Sequence, residues 1–117
     1  MARLRAADER AFDAATALAG YHLWCYGLME EVTRAAVDQG LPRPAAAGMV
    51  AGLTRAAGEF ALRAPPGESI REPLDKHGMP GTMTAQGLAV LERLQAFEAW
   101  RQAYGRAIDR LKGTPAG

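Results

Sequence analysis

The 117-residue sequence predicts an all-α protein built as a bundle of helices. The helix-forming residues Ala, Leu, Arg and Glu dominate the chain. Apolar residues recur at spacings of three and four, the repeat of an amphipathic helix. No convincing run of alternating β-branched residues indicates a strand. The length fits one domain with a single core.

The first predicted helix runs from about Asp13 to Gln39. Its apolar positions recur at helical spacing: Leu18, Tyr21, Cys25, Leu28, Val32 and Ala36. Between Ala14 and Met29 the sequence is apolar nearly all round, so this segment must be covered on most sides. A small monomeric bundle does not easily provide that cover. Gly40 is expected to end the helix, because helices commonly end at a left-handed glycine.

The second predicted helix runs from Pro44 to Arg63. Its apolar stripe comprises Met49, Val50, Leu53, Ala57, Phe60 and Ala61. Gly48 and Gly52 lie four residues apart and leave a bare face where another helix can approach closely. The alternative is that glycine is merely tolerated in an Ala- and Gly-rich sequence. The Ala64-Pro65-Pro66-Gly67 segment then breaks the helix.

A short third helix is predicted after this break. Ser69 and Glu72 have the spacing of a capping box, and Gly78 is expected to stop the helix. Thr84 is predicted to cap the next helix, with Met83 packing onto Leu88 as a hydrophobic staple.

From Ala85 an apolar stripe continues almost to the end of the chain: Leu88, Leu91, Leu94, Phe97, Trp100, Tyr104, Ile108 and Leu111. The pattern fits either one helix or two helices broken near Gln95-Ala96. The segment from Thr114 to Gly117 is predicted to be a frayed tail.

Composition and charge exclude several classes of protein. The net charge of +1, with acids and bases interleaved, gives no basic stripe for nucleic acid. No apolar run approaches the roughly 20 residues of a membrane span. The single cysteine, Cys25, cannot form an internal disulfide, which favours a reducing compartment. The N-terminus does not resemble a signal peptide, so we expect a cytoplasmic protein.

The residues that most often carry chemistry give weak signals individually. No metal site is expected, because His22 and His77 stand in no metal-ligand motif. A packed or interface role is favoured for His22 over a catalytic one, and interaction with a helix dipole for His77. Cys25 is interpreted as an inert small hydrophobe, and Glu30-Glu31 as a solvated face. No Gly-rich loop after a strand forms a dinucleotide-binding fingerprint.

One segment, Pro80-Gly81-Thr82-Met83-Thr84, gives a stronger signal of a binding site than these single residues do. It joins a turn to a predicted helix N-terminus, whose free N–H groups favour a carboxylate. The hydroxyl of Thr84 is placed to bond a substrate nitrogen. From physical reasoning alone, plain helix capping remains the favoured alternative.

Five segments follow one another along the chain: Phe12-Asp13-Ala14-Ala15-Thr16-Ala17-Leu18, Gly40-Leu41-Pro42-Arg43, Pro80-Gly81-Thr82-Met83-Thr84, Gly87-Leu88-Ala89-Val90-Leu91-Glu92 and the stretch from Phe97 to Arg110. Their order and spacing resemble the C-terminal domain of pyrroline-5-carboxylate reductases. The second segment is similar to that family's Gly-Leu-Pro turn. The third and fourth are similar to its Pro-Gly-Gly-x-Thr loop and Gly-Leu-x-x-Leu-Glu helix.

This resemblance implies an intertwined helical homodimer of the type found at the C-terminus of 6-phosphogluconate dehydrogenases. It implies that the loop residues Pro80, Gly81, Thr82, Met83 and Thr84 bind an imine or amino-acid-like substrate. Thr84 matches the family's threonine that contacts the substrate nitrogen, and is therefore the expected catalytic residue. The hydride is expected from NAD(P)H held by an N-terminal Rossmann domain, which these residues lack, so the isolated chain is expected to be inactive.

On this interpretation residues 1–12 are the lead-in from that Rossmann domain, 13–113 the helical dimerisation and substrate domain, and 114–117 a tail. The sequence departs from the family at Leu18–His22, which replaces a Ser-Gly-Ser-Gly-Pro segment. Thr82 replaces the second glycine of the loop, and about three extra residues precede Pro80. These departures indicate an altered pocket, which leaves a related imine or keto substrate open. The alternative function is a free-standing helical dimerisation or ligand-binding module without catalysis.

Overall fold

The computed structural model describes the backbone of residues 2–77 and 79–113 and the side chains of residues 8–76 and 79–113. Within these ranges the chain is helical and contains no strand, so the predicted all-α class is confirmed. The five helices are α1 (Ala2–Asp38), α2 (Arg43–Leu62), α3 (Glu72–His77), α4 (Met83–Arg93) and α5 (Ala96–Leu111). No helix in the described part of the chain is long and apolar enough to cross a membrane.

Helix α1 begins at Ala2, well before the predicted start at Asp13. The residues before Asp13 carry no apolar stripe, but they are rich in Ala and Arg, which favour a helix by propensity alone. The C-terminal end is as predicted, because Gly40 adopts a φ of +105°. Its N–H donates to the carbonyl of Val37 at 2.9 Å, and Leu41 N–H donates to the carbonyl of Ala36 at 3.2 Å. This pair of bonds is a Schellman motif.

Helix α2 follows after a tight connection and agrees with the predicted range to within one residue at each end. Pro42 precedes it with an extended ψ of 140°, and Pro44 lies in its first turn, where a missing N–H costs nothing. Arg63 closes the helix at its C-terminus. Gly67, with φ +85°, lies in the predicted break that follows.

The predicted capping box of the third helix is wrong. The Ser69 hydroxyl accepts the backbone N–H of Arg71 at 3.1 Å rather than that of Glu72. The Glu72 carboxylate pairs instead with Lys76 one turn later, at 2.7 Å. Ser69 therefore forms a local turn, and α3 begins only at Glu72. The predicted stop at Gly78, the side chain of His77 and the predicted tail from Thr114 lie outside the described residues.

The last apolar stretch consists of two helices, which settles the alternative that the sequence left open. Gln95 stands between them in the left-handed conformation, with φ 56° and ψ 37°. It is the one described non-glycine residue with positive φ. A side chain costs energy in this region, so the backbone at Gln95 is strained where α4 and α5 are separated.

The described residues form two compact units: unit 1 contains residues 2–25 and 91–113, and unit 2 contains residues 26–77 and 79–90. Among the described side chains, Ala17 is buried in unit 1, and Thr33 and Ala46 are buried in unit 2. No large described side chain is fully buried. Each unit thus has a core of small residues and leaves most of its apolar side chains uncovered.

In unit 2 an ion pair holds the end of α1 to the start of α2. Both terminal nitrogens of Arg43 bond the Glu30 carboxylate, Nη1 to Oε2 at 3.2 Å and Nη2 to Oε1 at 2.5 Å. Arg34 also bonds Glu30 from one turn along α1, at 3.1 Å. Glu30 is therefore part of a structural network, rather than only the solvated face expected from the sequence.

Candidate functional site

The candidate site in unit 2 begins with a tight turn before α4. The N–H of Thr82 donates to the carbonyl of Met79 at 3.2 Å, which closes a β-turn over Pro80 and Gly81. Gly81 has a φ of +87°. Proline at the first central position and a positive-φ glycine at the second are the preferences of a type II turn. The residues at both central positions therefore suit the shape of the turn.

Thr82 is the cap of α4, so the prediction that Thr84 caps this helix is wrong. The Thr82 hydroxyl accepts the N–H of Ala85 at 3.1 Å and donates to the carbonyl of Met79 at 2.8 Å. Its backbone carbonyl accepts the N–H of Gln86 at 3.1 Å. A cap must precede the first helical residue, and the turn places Thr82 there.

Thr84 consequently lies inside the first turn of α4. Its side chain is exposed, and its hydroxyl has no hydrogen-bond partner among the described residues. The N–H groups of Met83 and Thr84 belong to the first turn, where no helical carbonyl is available to accept them. This end of α4 therefore offers backbone donors and a hydroxyl to an anionic, hydrogen-bonding molecule.

The predicted staple between Met83 and Leu88 does not form. Met83 is 87% exposed, whereas Leu88 is only half-exposed. Because α4 starts at Met83 itself, this residue is not the one before the cap, as a staple requires. Met83 thus leaves an apolar side chain in solvent beside the loop.

Unit 2 also contains an open groove between the end of α2 and α3, with a volume of about 700 Å³. Phe60 and Leu74 contribute apolar walls, and Arg63 and Lys76 contribute charge. The guanidinium of Arg63 lies 5.9 Å from the centre of the Phe60 ring, a cation–π contact. None of the loop residues 80–84 lines this groove, so it is separate from the candidate site.

In unit 1, α1 and α5 form an aromatic cleft of about 380 Å³ that the sequence did not reveal. Its lining residues are Leu18, Tyr21, Trp24, Trp100, Arg101 and Tyr104. The rings of Trp24 and Trp100 lie 6.1 Å apart, centre to centre, and are tilted by 41°. The hydroxyl of Tyr104 donates to the carbonyl of Ala14 at 2.8 Å. Helical periodicity placed Leu18 and Tyr21 on one stripe and Trp100 and Tyr104 on another. It left out Trp24 and Arg101, and no feature of the sequence shows that the two stripes pack together.

Tyr21 and Cys25 form a local pair on the face of α1 that carries this cleft. The hydrogen bond between their side chains is the main cause that raises the pKa of the Tyr21 hydroxyl, and partial burial adds to this effect. Tyr21 therefore keeps its proton at neutral pH. Cys25 is half-exposed, and His22 is exposed on the same helix. The described residues contain no group of three His, Cys, Asp or Glu side chains placed to hold a metal ion.

Helix α2 shows an extensive uncovered apolar surface. Every residue from 51 to 60 is exposed, including Leu53 at 69% and Phe60 at 66%. A Cβ added at Gly48 or Gly52 would meet no atom within 4 Å, so the glycine face is open. Isolated exposed apolar residues are ordinary, but a contiguous apolar surface indicates an interaction site.

The comparisons with known proteins agree with this architecture. The family model described as pyrroline-5-carboxylate reductase dimerisation matches residues 9–114. A comparison with curated proteins gives no match. Among solved structures, the chain is similar to the Plasmodium falciparum pyrroline carboxylate reductase with NADP bound, at 24% sequence identity and a TM-score of 0.79. That match covers 92% of this chain and 43% of the reductase chain, so this chain spans less than half of that protein.

At 24% identity the structural likeness shows the fold. Family membership is carried by the family model, which covers nearly the whole chain. The resemblance first seen in the sequence is therefore confirmed. The chain belongs to the pyrroline-5-carboxylate reductase dimerisation family.

Proposed function

We propose that this chain is the dimerisation and substrate-binding part of an NAD(P)-dependent reductase that reduces a cyclic imine or a related substrate. The observation that carries the proposal is that two neighbouring threonines, Thr82 and Thr84, have different roles. Thr82 caps α4, and the hydroxyl of Thr84 is left available next to the first-turn N–H groups. Thr84 is also the residue that matches the family's substrate-contacting threonine.

The chemistry of the loop suits a small amino-acid-like molecule. The backbone N–H groups of Met83 and Thr84 stand at the positive end of the α4 dipole, which favours a carboxylate. The Thr84 hydroxyl can then hydrogen-bond a nitrogen attached near that carboxylate. Pro80 and Gly81 form the turn that sets the path of the backbone into α4. Thr84 would thereby hold the substrate nitrogen in a defined position.

The cofactor belongs to a different part of the reductase in this proposal. When bound, the nicotinamide supplies the hydride, and the protein supplies orientation. The described residues offer no Gly-rich turn between a strand and a helix that would cradle a pyrophosphate. We assign cofactor binding to a nucleotide-binding domain outside these 117 residues, and expect these residues alone to reduce no imine.

A second copy of the chain is the partner that we propose for the exposed face of α2. The family is one of dimerisation domains, and Leu53 and Phe60 leave most of their apolar area exposed, at 69% and 66%. Burying such area gains about 25 cal/mol per Å². A twofold interface also uses the same surface on both copies, which suits one long exposed helix face.

Steady-state kinetics of the full-length reductase that carries this segment tests the catalytic proposal. With pyrroline-5-carboxylate and NADPH, Thr84→Ala is expected to lower kcat/KM tenfold or more, a loss of roughly 1.4 kcal/mol of transition-state stabilisation. Thr84→Ser keeps the hydroxyl and is expected to retain most activity. Wild-type kinetics for Thr84→Ala would remove Thr84 from the site, and an enzyme inert toward this imine would contradict the substrate class.

A further inference from the structure

The side chain of Met83 is among the most exposed apolar side chains in the described part of the chain. It is 87% exposed, compared with 63% for Met79 and 57% for Met49. Met29 is half-buried, and Met49 lies on α2, whose exposed face we assign to a second copy. Met1 lies outside the described side chains. Among the described methionines, the thioether of Met83 is therefore the one most open to an oxidant in solvent.

The start of α4 directs this side chain toward the N-terminal end of the helix. Met83 is the first residue of α4. Because Cα–Cβ bonds tilt toward the N-terminus of a helix, a side chain at the first position leans out over the helix end. Methionine is unbranched and flexible, so its sulfur can take up several positions there. The thioether of Met83 therefore lies on the side of the first-turn N–H groups.

Few backbone donors remain open at this end of α4. The hydroxyl of Thr82 accepts the N–H of Ala85 at 3.1 Å, and the backbone carbonyl of Thr82 accepts the N–H of Gln86 at 3.1 Å. The N–H groups of Met83 and Thr84 are left, because no helical carbonyl precedes them. Any group that accepts these N–H groups therefore competes with a substrate carboxylate for them.

We propose that Met83 is a site of reversible oxidation and that its sulfoxide blocks the N-terminal end of α4. Hydrogen peroxide transfers one oxygen atom to the thioether sulfur, which is oxidised, while the O–O bond breaks and water is released. The product is a polar side chain whose oxygen accepts hydrogen bonds, whereas the thioether sulfur is only a weak acceptor. Over the helix end, this oxygen accepts the N–H groups of Met83 and Thr84. The effect on activity rests on the proposed function, but the oxidation itself does not.

Timed oxidation of the full-length reductase that carries this segment tests the proposal. The protein is treated with hydrogen peroxide, and peptide fragmentation in a mass spectrometer locates each added oxygen atom. We expect Met83 to gain oxygen faster than Met29, Met49 and Met79. The KM for pyrroline-5-carboxylate is expected to rise roughly tenfold as Met83 is oxidised, whereas the KM for NADPH stays constant. Treatment with methionine sulfoxide reductases is expected to restore the original KM.

Leucine variants provide the matched comparison. Met83→Leu removes the sulfur and keeps an apolar side chain of similar volume. Each variant is compared with its own kinetics before peroxide is added. Met83→Leu is expected to keep its KM through the treatment. Met79→Leu, which removes the exposed methionine before the Pro80–Gly81 turn, is expected to show the same rise in KM as the wild type.

The outcomes separate the modification from its effect. Faster oxidation of Met79 or Met49 than of Met83 would overturn the proposed site. In an active enzyme, a KM unchanged by full oxidation of Met83, or an equal rise in Met83→Leu, would overturn the proposed block. An enzyme inert toward this imine before treatment contradicts the proposed function and the block with it. The order of oxidation then still decides whether Met83 is the modified residue.

Discussion

The hydroxyl of Thr82 accepts the backbone N–H of Ala85 at 3.1 Å, and this bond makes Thr82, not Thr84, the cap of α4. Both residues have the chemistry of a cap, and only the position of the helix start distinguishes them. Because Thr82 performs this structural role, Thr84 has no structural hydrogen bond to lose among the described residues. Replacing Thr82 is therefore expected to lower stability, whereas replacing Thr84 is expected to lower activity.

Replacing the two threonines separates these roles in the folded protein. Thr82→Ala removes both hydrogen bonds of its hydroxyl and is expected to lower the free energy of unfolding by about 1 kcal/mol. Thr84→Ala is expected to change it by less than about 0.5 kcal/mol, as surface substitutions usually do. Urea denaturation of the two variants measures both quantities. A larger loss for Thr84→Ala than for Thr82→Ala would contradict the assignment of the cap.

Gln95 offers a second test of the backbone, at the break between α4 and α5. Its left-handed φ of 56° is unfavourable for a side chain, so Gln95→Gly is expected to raise stability by up to about 1 kcal/mol. The same replacement at Gln86, an exposed position within α4, is expected to lower stability by roughly 0.5–1 kcal/mol. Thermal unfolding of the two variants provides the comparison. Destabilisation by Gln95→Gly would mean that α4 and α5 form one helix.

The ion pair between Glu30 and Arg43 predicts a specific dependence on pH. The hydrogen bond from Arg43 is the main cause that lowers the pKa of Glu30 below its ordinary value of 4.5. The folded state therefore binds this proton less readily than the unfolded state does. Its contribution to stability is complete above pH 4.5 and is lost as the pH falls through the lowered pKa.

Glu30→Gln is expected to remove this part of the acid sensitivity. Urea midpoints measured from neutral to acid pH should show a difference between wild type and variant that shrinks below pH 4.5. Glu68→Gln is the control, because Glu68 is exposed and makes no ion pair among the described residues. If the difference in urea midpoint between wild type and Glu30→Gln stays the same at acid pH, the ionised Glu30 carboxylate does not contribute to stability.

The sequence was a good guide to features that depend on local patterns. The flanking prolines predicted both limits of α2 to within one residue, and Gly40 predicted the end of α1, because each depends on a few adjacent residues. Capping was harder to predict, because it depends on where a helix starts to within one residue. Ser69 was assigned as a cap from its spacing to Glu72, and Thr84 from its residue type before a helical segment, and both assignments are wrong.

Of the candidate sites, one was predicted from the sequence and the others became visible only in the structure. The loop from Pro80 to Thr84 was identified from its residues and its likeness to a family motif. The aromatic cleft was not identified, since Trp24 and Trp100 are far apart in sequence and meet only through packing. The uncovered face of α2 follows from the structure too, although the apolar surround of Ala14 to Met29 already indicated that a partner was needed.

Association of two copies underlies the proposed role of this chain, and sedimentation equilibrium at micromolar concentration is the decisive test of it. We expect the wild-type chain to be a dimer whose unfolding temperature rises with protein concentration. Leu53→Lys places a charge on the exposed face of α2 and is expected to weaken the dimer, whereas Thr54→Lys, one residue further along α2, is the control and is expected to weaken it much less. A stable, cooperatively folded monomer at this concentration, indifferent to Leu53→Lys, would contradict the proposed dimer.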